Sequence, residues 1–482
     1  MSAGALQQLA AMGIQPRRLV SDSRRLEAGD VFVAYPGERV DGRTHIPQAI
    51  KQGAAAVLWE RVDGRWLDDW HVPNLAVEGL REQVSEIAGE FYGHPSKSLW
   101  MIGVTGTNGK TSCSHWLAQC LTALGHKAAV VGTLGNGFPN ALSEAINTTP
   151  DPIILQSLLA DFVAQGADAV AMEVSSHGLA QGRVSGIKFD VALLTNLSRD
   201  HLDYHGDMKA YAATKSRLFD WPALKCAVLN ADDTFGARLA IRLHGQGKRV
   251  VTYGLNGGAV SCTALRFTEN GVAMKVMTPW GYAEISAPVL GRFNAANVLA
   301  VLATLLASDI PLERATSVLR DIGPVPGRMQ RLGGGSLPLV VVDYAHTPDA
   351  LAKILATLRD QCTGRLICVF GCGGNRDKGK RPLMGEVVSR LADLAIVTSD
   401  NPRQEDPQAI INEIISGMDS DYHIEDDRAA AIDSAIRMAA AGDVVLLAGK
   451  GHEAYQQIGD DKLPFSDAEV AQRVLDSLEE AA

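Results

Sequence analysis

The sequence predicts an α/β fold of three domains built on mainly parallel sheets. Its 482 residues, at roughly 150 per domain, leave room for about three. Two segments break regular structure. In Gly93-His94-Pro95-Ser96-Lys97-Ser98 a helical pattern stops before a strand begins, and Gly323-Pro324-Val325-Pro326-Gly327 packs two prolines and two glycines into five residues. They divide the chain into 1–96, 97–325 and 326–482. Between them, apolar β-rich runs alternate with helical patterns: Val31–Ala34, Met101–Val104, Ala169–Met172, Val191–Leu194, Leu339–Val342, Leu366–Phe370, Leu394–Val397 and Val444–Leu447. These runs are continuous rather than alternating, so both faces of each sheet are covered. Ligands of such sheets sit at strand carboxyl ends, so the residues just after each run carry the chemistry.

Composition narrows the function. An apolar share of 46% with 21% charged residues fits a soluble globular protein with sizeable cores. A net charge of −10 disfavours the broad basic face that nucleic acid or an anionic membrane requires, while leaving room for a small basic pocket. The seven cysteines (Cys113, Cys120, Cys226, Cys262, Cys362, Cys368 and Cys372) are scattered, with neither CxxC pairing nor zinc spacing, which points to a reducing, cytoplasmic setting. The opening MSAGALQQLAAMG shows no secretion signal, and no apolar stretch reaches the roughly 20 residues of a membrane span. Ala295–Ala307, interrupted by Asn297 and Thr304, reads as a buried helix.

The first chemical signal follows the Met101–Val104 strand. Gly106-Thr107-Asn108-Gly109-Lys110-Thr111-Ser112 lets the backbone curl at two glycines, and a helix then starts near Lys110 with Trp116, Leu117, Cys120, Leu121 and Leu124 on one face. Backbone N–H groups and the helix N-terminus suit phosphates. Lys110 would neutralise β/γ oxygens, and Thr111 would offer a hydroxyl to Mg²⁺. A strict Walker loop has glycine where Val104 stands, so this is a variant P-loop, read as an ATP site rather than a plain Gly-rich turn.

Glu173 ends the next strand, and Thr195-Asn196-Leu-Ser-Arg199-Asp200-His201-Leu-Asp203-Tyr-His205 follows another. Carboxylates near a P-loop suit Mg²⁺. A histidine there suits it less, and by itself His201 or His205 is as readily a helix-cap or packing residue.

Gly-Thr-Asn-Gly-Lys-Thr, Glu-Val-Ser-Ser-His-Gly-Leu and Thr-Asn-Leu-Ser-Arg-Asp-His-Leu-Asp-Tyr-His-Gly, in this order and spacing, resemble the central domain of the Mur ligases, and the resemblance extends over essentially the whole chain. It implies a small N-terminal α/β domain, a central P-loop ATPase-type domain and a C-terminal Rossmann-like domain. By it, Thr111, Glu173 and His201 match magnesium ligands, and Lys215 matches a lysine carried as a carbamate. Read without the resemblance, Lys215 is a solvated helix lysine. Asn294 and Asn297 share a helix face and suit an adenine edge, as the family uses them; the alternative is a cap at Asn294 with Asn297 exposed. Arg328 and Asp343 resemble the C-terminal domain's nucleotide contacts, with Gln330 standing where relatives often have an acid.

Three further turns follow C-terminal strands: Gly371-Cys-Gly373-Gly-Asn-Arg376, Asp400-Asn401-Pro402-Arg403 and Gly449-Lys-Gly-His452-Glu453. The first lacks the third glycine of a dinucleotide fingerprint, having Arg376 there, which disfavours a nicotinamide site. Two arginines and a glutamate suit a ligand carrying two carboxylates and an amine. Alone, Asn-Pro-Arg reads as a turn with a solvated arginine. The resemblance makes Asp-Asn-Pro-Arg the diaminopimelate form of the motif, with Arg376, Asp400, Asn401, Pro402, Arg403, Gly449 and Glu453 binding the incoming amino acid. In the N-terminal part, Ser21-Asp-Ser23-Arg24, Gly29-Asp-Val-Phe-Val and Gly37-Glu-Arg39-Val-Asp-Gly resemble the UDP-sugar domain. Ser21 and Ser23 match uridine or diphosphate contacts, and Asn147, Thr148, Thr149, Ser175, Gln181 and Arg183 match contacts to the UDP-MurNAc-dipeptide.

The resemblance thus implies a monomeric ligase that spends ATP to join meso-diaminopimelate to UDP-MurNAc-L-Ala-D-Glu through an acyl phosphate, with closure of the C-terminal domain over the nucleotide. Its small-molecule substrates exclude nucleic acid and membrane as partners. Rivals are a lysine-adding sister ligase, opposed by Arg403, and a folylpolyglutamate-type synthetase, opposed by Glu173–His177. A non-catalytic P-loop switch would not need Lys215, and a carbohydrate-binding scaffold would not need the loop.

Overall fold

The computed structural model describes residues 4–38, 40–268, 271–359 and 362–480, so Arg39 of the third N-terminal stretch and the first three residues lie outside the described set. The chain forms two compact units: Met1–Thr105, Leu121–Ala192 and Thr214–Cys226 make the first, and Gly106–Cys120, Leu193–Ala213 and Ala227–Ala482 the second. All eight apolar runs form strands.

In the first unit, Leu19–Val20, Val31–Ala34, Ala56–Glu60 and Asn74–Val77 make a parallel sheet in that order. Val31 and Val33 pack with Leu9, Leu80 and Val84, while Phe32 and Ala34 pack with Ile46 and Ala49. Successive side chains of one strand therefore enter opposite cores, which is why the run is apolar throughout. Further along, Trp100–Thr105 pairs in parallel with Ala169–Glu173, which pairs in parallel with Ala128–Gly132. Gly135–Phe138 and Ala141–Ser143 extend this sheet antiparallel. The register sets Glu173 beside Val104, so the carboxylate lies at the strand end from which the glycine loop departs. The first break is one 3₁₀ turn, Pro95–Lys97, entered through left-handed Gly93 and His94.

In the second unit, Cys226–Asn230, Val250–Gly254 and Val260–Thr268 run parallel, then Gly271–Thr278 and Gly281–Ala287 add an antiparallel meander that the search for continuous apolar runs does not reveal. The helix Arg292–Ala307 is buried from Ala295 to Ala307 apart from Ala296, as expected of an apolar, charge-free segment. The second break carries a single bridge between Val325 and Arg328. A six-stranded sheet follows, in the order Gln330–Gly333, Leu339–Asp343, Val444–Ala448, Leu366–Phe370, Leu394–Val397, Tyr422–Ile424, antiparallel only at its first strand. Val341, Cys368 and Leu446 face one core, and Val342, Ile367 and Val445 the other. Among the described residues, no helix is long and apolar enough to cross a membrane.

Candidate nucleotide, amino-acid and precursor sites

The glycine loop is held by residues that follow the Val191–Leu194 strand. Asn196 accepts from Thr107 N at 2.9 Å through its carbonyl and from Asn108 N at 3.0 Å through Oδ1. The Asn108 carbonyl accepts from Thr195 Oγ1 at 2.6 Å and from Asn196 Nδ2 at 3.0 Å. Thr107 Oγ1 accepts from Ser198 N at 3.0 Å, and Asn108 Nδ2 donates to Asp349 Oδ2 at 3.1 Å. Two glycines are forced. Gly106 (φ 145°) lies against Thr195 Oγ1, and a Cβ on Gly109 (φ 86°) would stand 2.7 Å from Asn297 Oδ1. Lys110 Nζ folds over the loop to the carbonyls of Gly106 (2.9 Å) and Thr107 (2.8 Å). Thr111 and Ser112 are buried, and Arg328 Nη2 donates to Thr111 Oγ1 at 3.1 Å. Sequence reading assigned no role to Thr195, Asn196 or Asp349, although the first two directly follow a strand, where the strand-end rule looks.

The two helix asparagines are both buried, so the alternative of an exposed Asn297 does not hold. Gly291 takes the N-cap position instead. Asn297 Nδ2 donates to Asn294 Oδ1 at 3.2 Å, and Asn294 Nδ2 to the Leu290 carbonyl at 3.0 Å. Arg328 lies over the Tyr344 ring, 4.4 Å from its centroid. Asp343 Oδ2 accepts from Met329 N at 2.7 Å. Burial pushes the Asp343 carboxyl up to about 6, outweighing the pull of Arg328 and of backbone N–H groups.

His201 occupies the N-cap position of the short helix Leu202–His205, with φ 53°, and its Nε2 lies 3.3 Å from Asp200 Oδ2. His205 packs on the rings of Tyr204 and Tyr211. Asp200 also meets His346 Nε2 at 3.7 Å and Lys380 Nζ at 3.9 Å. Burial would raise its carboxyl, but His346, and the charges of His201 and Lys380, hold it well below the usual range.

The three C-terminal turns leave neighbouring parallel strands, and hydrogen bonds join them. Asn401 Nδ2 donates to Glu453 Oε2 at 2.7 Å, and Arg403 Nη1 to the Gly374 carbonyl at 2.9 Å. Asp400 and Pro402 are buried, and Gln456 Nε2 donates to the Asp400 carbonyl at 2.9 Å. Arg376 is exposed in its turn. Gly449 N donates to the Asp343 carbonyl at 3.1 Å, which ties this group to the end of the Leu339–Asp343 strand. Lys450, wholly buried among them, is a residue that sequence reading missed.

In the first unit, Glu173 is fully buried and accepts from Thr133 N at 2.8 Å and Thr133 Oγ1 at 3.1 Å. Thr148 shares a hydrogen bond with Thr133, and Thr149 Oγ1 donates to the Glu173 carbonyl at 2.9 Å while accepting from Ser175 N at 3.0 Å. Ser175 Oγ caps Gly178 N, and Arg183 donates to the Thr149 carbonyl at 2.6 Å and to Gln181 Oε1 at 2.8 Å. The matched precursor residues of this region thus form one network, with Asn147 exposed beside it. Ser23 is buried and donates to Gln48 Oε1 at 3.0 Å, and Ser21 is half-buried. Lys215 is only 1% exposed, which overturns its reading as a solvated helix lysine. Among the described residues no three His, Cys, Asp or Glu side chains converge as a metal cage.

Three family models match the chain: "Mur ligase family, catalytic domain" over residues 18–92, "Mur ligase middle domain" over 104–305, and "Mur ligase, glutamate ligase domain" over 327–451. A UDP-N-acetylmuramoyl-L-alanyl-D-glutamate--2,6-diaminopimelate ligase of Chromobacterium violaceum is 55% identical over 97% of this chain and 96% of its own length. The protein of that name from Pseudomonas aeruginosa is 51% identical over 98% of both. A solved structure with the same title shares 36% identity and a TM-score of 0.68, covering 96% of this chain and 95% of that one. The chain belongs to the Mur ligase family.

Proposed function

We propose that this protein is the ATP-dependent ligase that joins meso-2,6-diaminopimelate to UDP-N-acetylmuramoyl-L-alanyl-D-glutamate in peptidoglycan precursor synthesis, working as a cytoplasmic monomer. The observation that carries this is its near full-length likeness to ligases bearing that name. The matched stretches also support a division at 1–96, 97–325 and 326–482.

In this reading a γ-carboxylate oxygen of the D-glutamate attacks the γ-phosphorus of ATP, and the bond to the β,γ-bridging oxygen breaks to give acyl phosphate and ADP. The diaminopimelate amine then attacks the acyl carbon, loses a proton, and phosphate leaves. Loop N–H groups and Lys110 stabilise charge on the moving phosphoryl group. By the family resemblance Thr111, Glu173, His201 and Lys215 would be the Mg²⁺ ligands, and the ion would supply charge neutralisation. Lys215, buried at 1% exposure, would carry the carbamate: CO₂ adds to its amine with loss of a proton, which turns a cation into an anion. Asn294, Asn297, Arg328 and Asp343 take the nucleoside and phosphates. Ser21, Ser23 and the network from Thr148 to Arg183, with Asn147, take the precursor. Arg376, Asp400, Asn401, Pro402, Arg403, Gly449 and Glu453 take the amino acid.

Arg403 favours diaminopimelate over lysine. Among the described residues only its Nη1 is bonded, which leaves Nη2 and Nε for a second carboxylate that lysine lacks. The deciding assay follows phosphate release and amide product with Mg·ATP and the dipeptide precursor, comparing meso-diaminopimelate with L-lysine. Product mainly with diaminopimelate is expected. Product mainly with lysine would overturn the role of Arg403, and steady ATP hydrolysis without product would overturn the ligase reading.

A further inference from the structure

The proposed chemistry makes no use of Lys450, yet its side chain has no exposed surface. Burying an ammonium is costly unless it is paired and hydrogen-bonded. Lys450 Nζ donates to Asn401 Oδ1 at 3.1 Å and to Glu453 Oε2 at 3.2 Å, with the Tyr455 and Phe465 rings 5.7 and 6.0 Å away. An ammonium only donates, so the end of the Asn401 amide facing it must be the carbonyl oxygen. Gln457 N, donating to the same Oδ1 at 2.8 Å, imposes the same choice. The amide nitrogen is thereby turned towards Glu453 Oε2, 2.7 Å away. Both donors thus meet one carboxylate oxygen. Among the described residues no hydrogen bond engages Glu453 Oε1, and 14% of that side chain is exposed.

We propose that Lys450 is a positioning residue that sets the polarity of the amino-acid subsite. By fixing the Asn401 amide it presents the second Nδ2 hydrogen to a ligand carboxylate. By occupying Glu453 Oε2 it reserves Oε1 for a ligand ammonium. The recognised group is therefore the zwitterionic end of an amino acid, read by one donor and one acceptor whose directions Lys450 dictates. This rests on Asn401 and Glu453 being amino-acid contacts.

The test compares the full chain with Lys450→Met, Lys450→Gln and Glu453→Gln, measuring kcat and KM for each substrate. Loss of Lys450 should raise the KM for diaminopimelate by about tenfold or more, and lower the preference for diaminopimelate over lysine by a similar factor. The KM values for ATP and for the precursor should stay within about twofold, which also shows that the variant is folded. Lys450→Gln, able to keep a hydrogen bond to Oδ1, should retain more of the preference than Lys450→Met, and it serves if the methionine variant does not fold. If Glu453→Gln raises the diaminopimelate KM while both Lys450 variants leave KM and preference unchanged, the positioning role is overturned and the site reading stands. If none of the three changes the diaminopimelate KM, the site reading fails and the proposal with it.

Discussion

Asp343 is an acid in a place that favours its neutral form. Its carboxyl is pushed up to about 6, first by burial, against the opposing charge of Arg328 and the N–H groups of Met329 and Ala345. An acid whose pKa is higher folded than unfolded contributes stability below its unfolded value, and that contribution is lost as pH rises through the folded value. Wild type should therefore lose stability relative to Asp343→Asn between about pH 4 and 6.5, by on the order of 2–3 kcal/mol. Thermal midpoints of both proteins across that window check it, and parallel curves would count against it. The same position shows how far single residues can be read from sequence. The turn and helix start that carry Lys110 and Thr111 were legible because a glycine loop and the helix that follows it are local in sequence. Lys215 and Lys450 were not. Both sit in polar or mixed stretches that look solvated, yet they are 1% and 0% exposed, and Lys450 meets Asn401 from 49 positions away. The alternative of an exposed Asn297 fell for the same reason: Gly109, 188 positions earlier in the chain, stands against its buried amide.

Between elements, the Arg428–Asp467 pair ties the N-termini of two helices, Arg428–Met438 and Asp467–Glu479, through two hydrogen bonds of 2.7 Å with neither side chain exposed. Arg428 Nη2 also donates at 2.9 Å to the Ala448 carbonyl, the last of its strand before Gly449. Removing one partner leaves an uncompensated buried charge, at a cost of about 3–5 kcal/mol. Asp467→Ala should destabilise by that amount in denaturant titrations, and the double change Arg428→Met with Asp467→Leu should recover most of it. Equal loss in both variants would show that the pair is not what holds these helices. This ion pair was invisible in the sequence, whereas the strands beneath it were plain, because a strand covered on both faces writes itself as an unbroken apolar run. The Gly271–Thr278 and Gly281–Ala287 strands alternate buried and exposed residues along much of their length, so the same criterion passed over them.

Across the whole chain, the break at 93–98 looks like a hinge in sequence, but hydrogen bonds span it. Ser85 Oγ donates to the Arg183 carbonyl at 3.2 Å, Gln156 Nε2 to the Ser85 carbonyl at 3.1 Å, and Tyr35 OH to Asp151 Oδ2 at 3.3 Å. The N-terminal segment is thereby stitched into the first unit, an outcome that Gly and Pro content could not reveal. The glycine loop belongs to the second unit, where Thr195, Asn297, Arg328 and Asp349 converge on it from four separate stretches. A ligand bound there should brace that unit as a body. At about 100 times its Kd, Mg·ATP should stabilise it by ~2.7 kcal/mol. Hydrogen exchange should show new protection at residues 106–112, near Arg328 and at the start of the Arg292–Ala307 helix, with less change in the first unit's four-stranded sheet. Lys110→Ala should remove most of the effect, since the ammonium that now rests on the Gly106 and Thr107 carbonyls is the group expected to turn to the phosphates. Protection that survives in Lys110→Ala, or that appears chiefly in the N-terminal sheet, would mean that the nucleotide binds elsewhere.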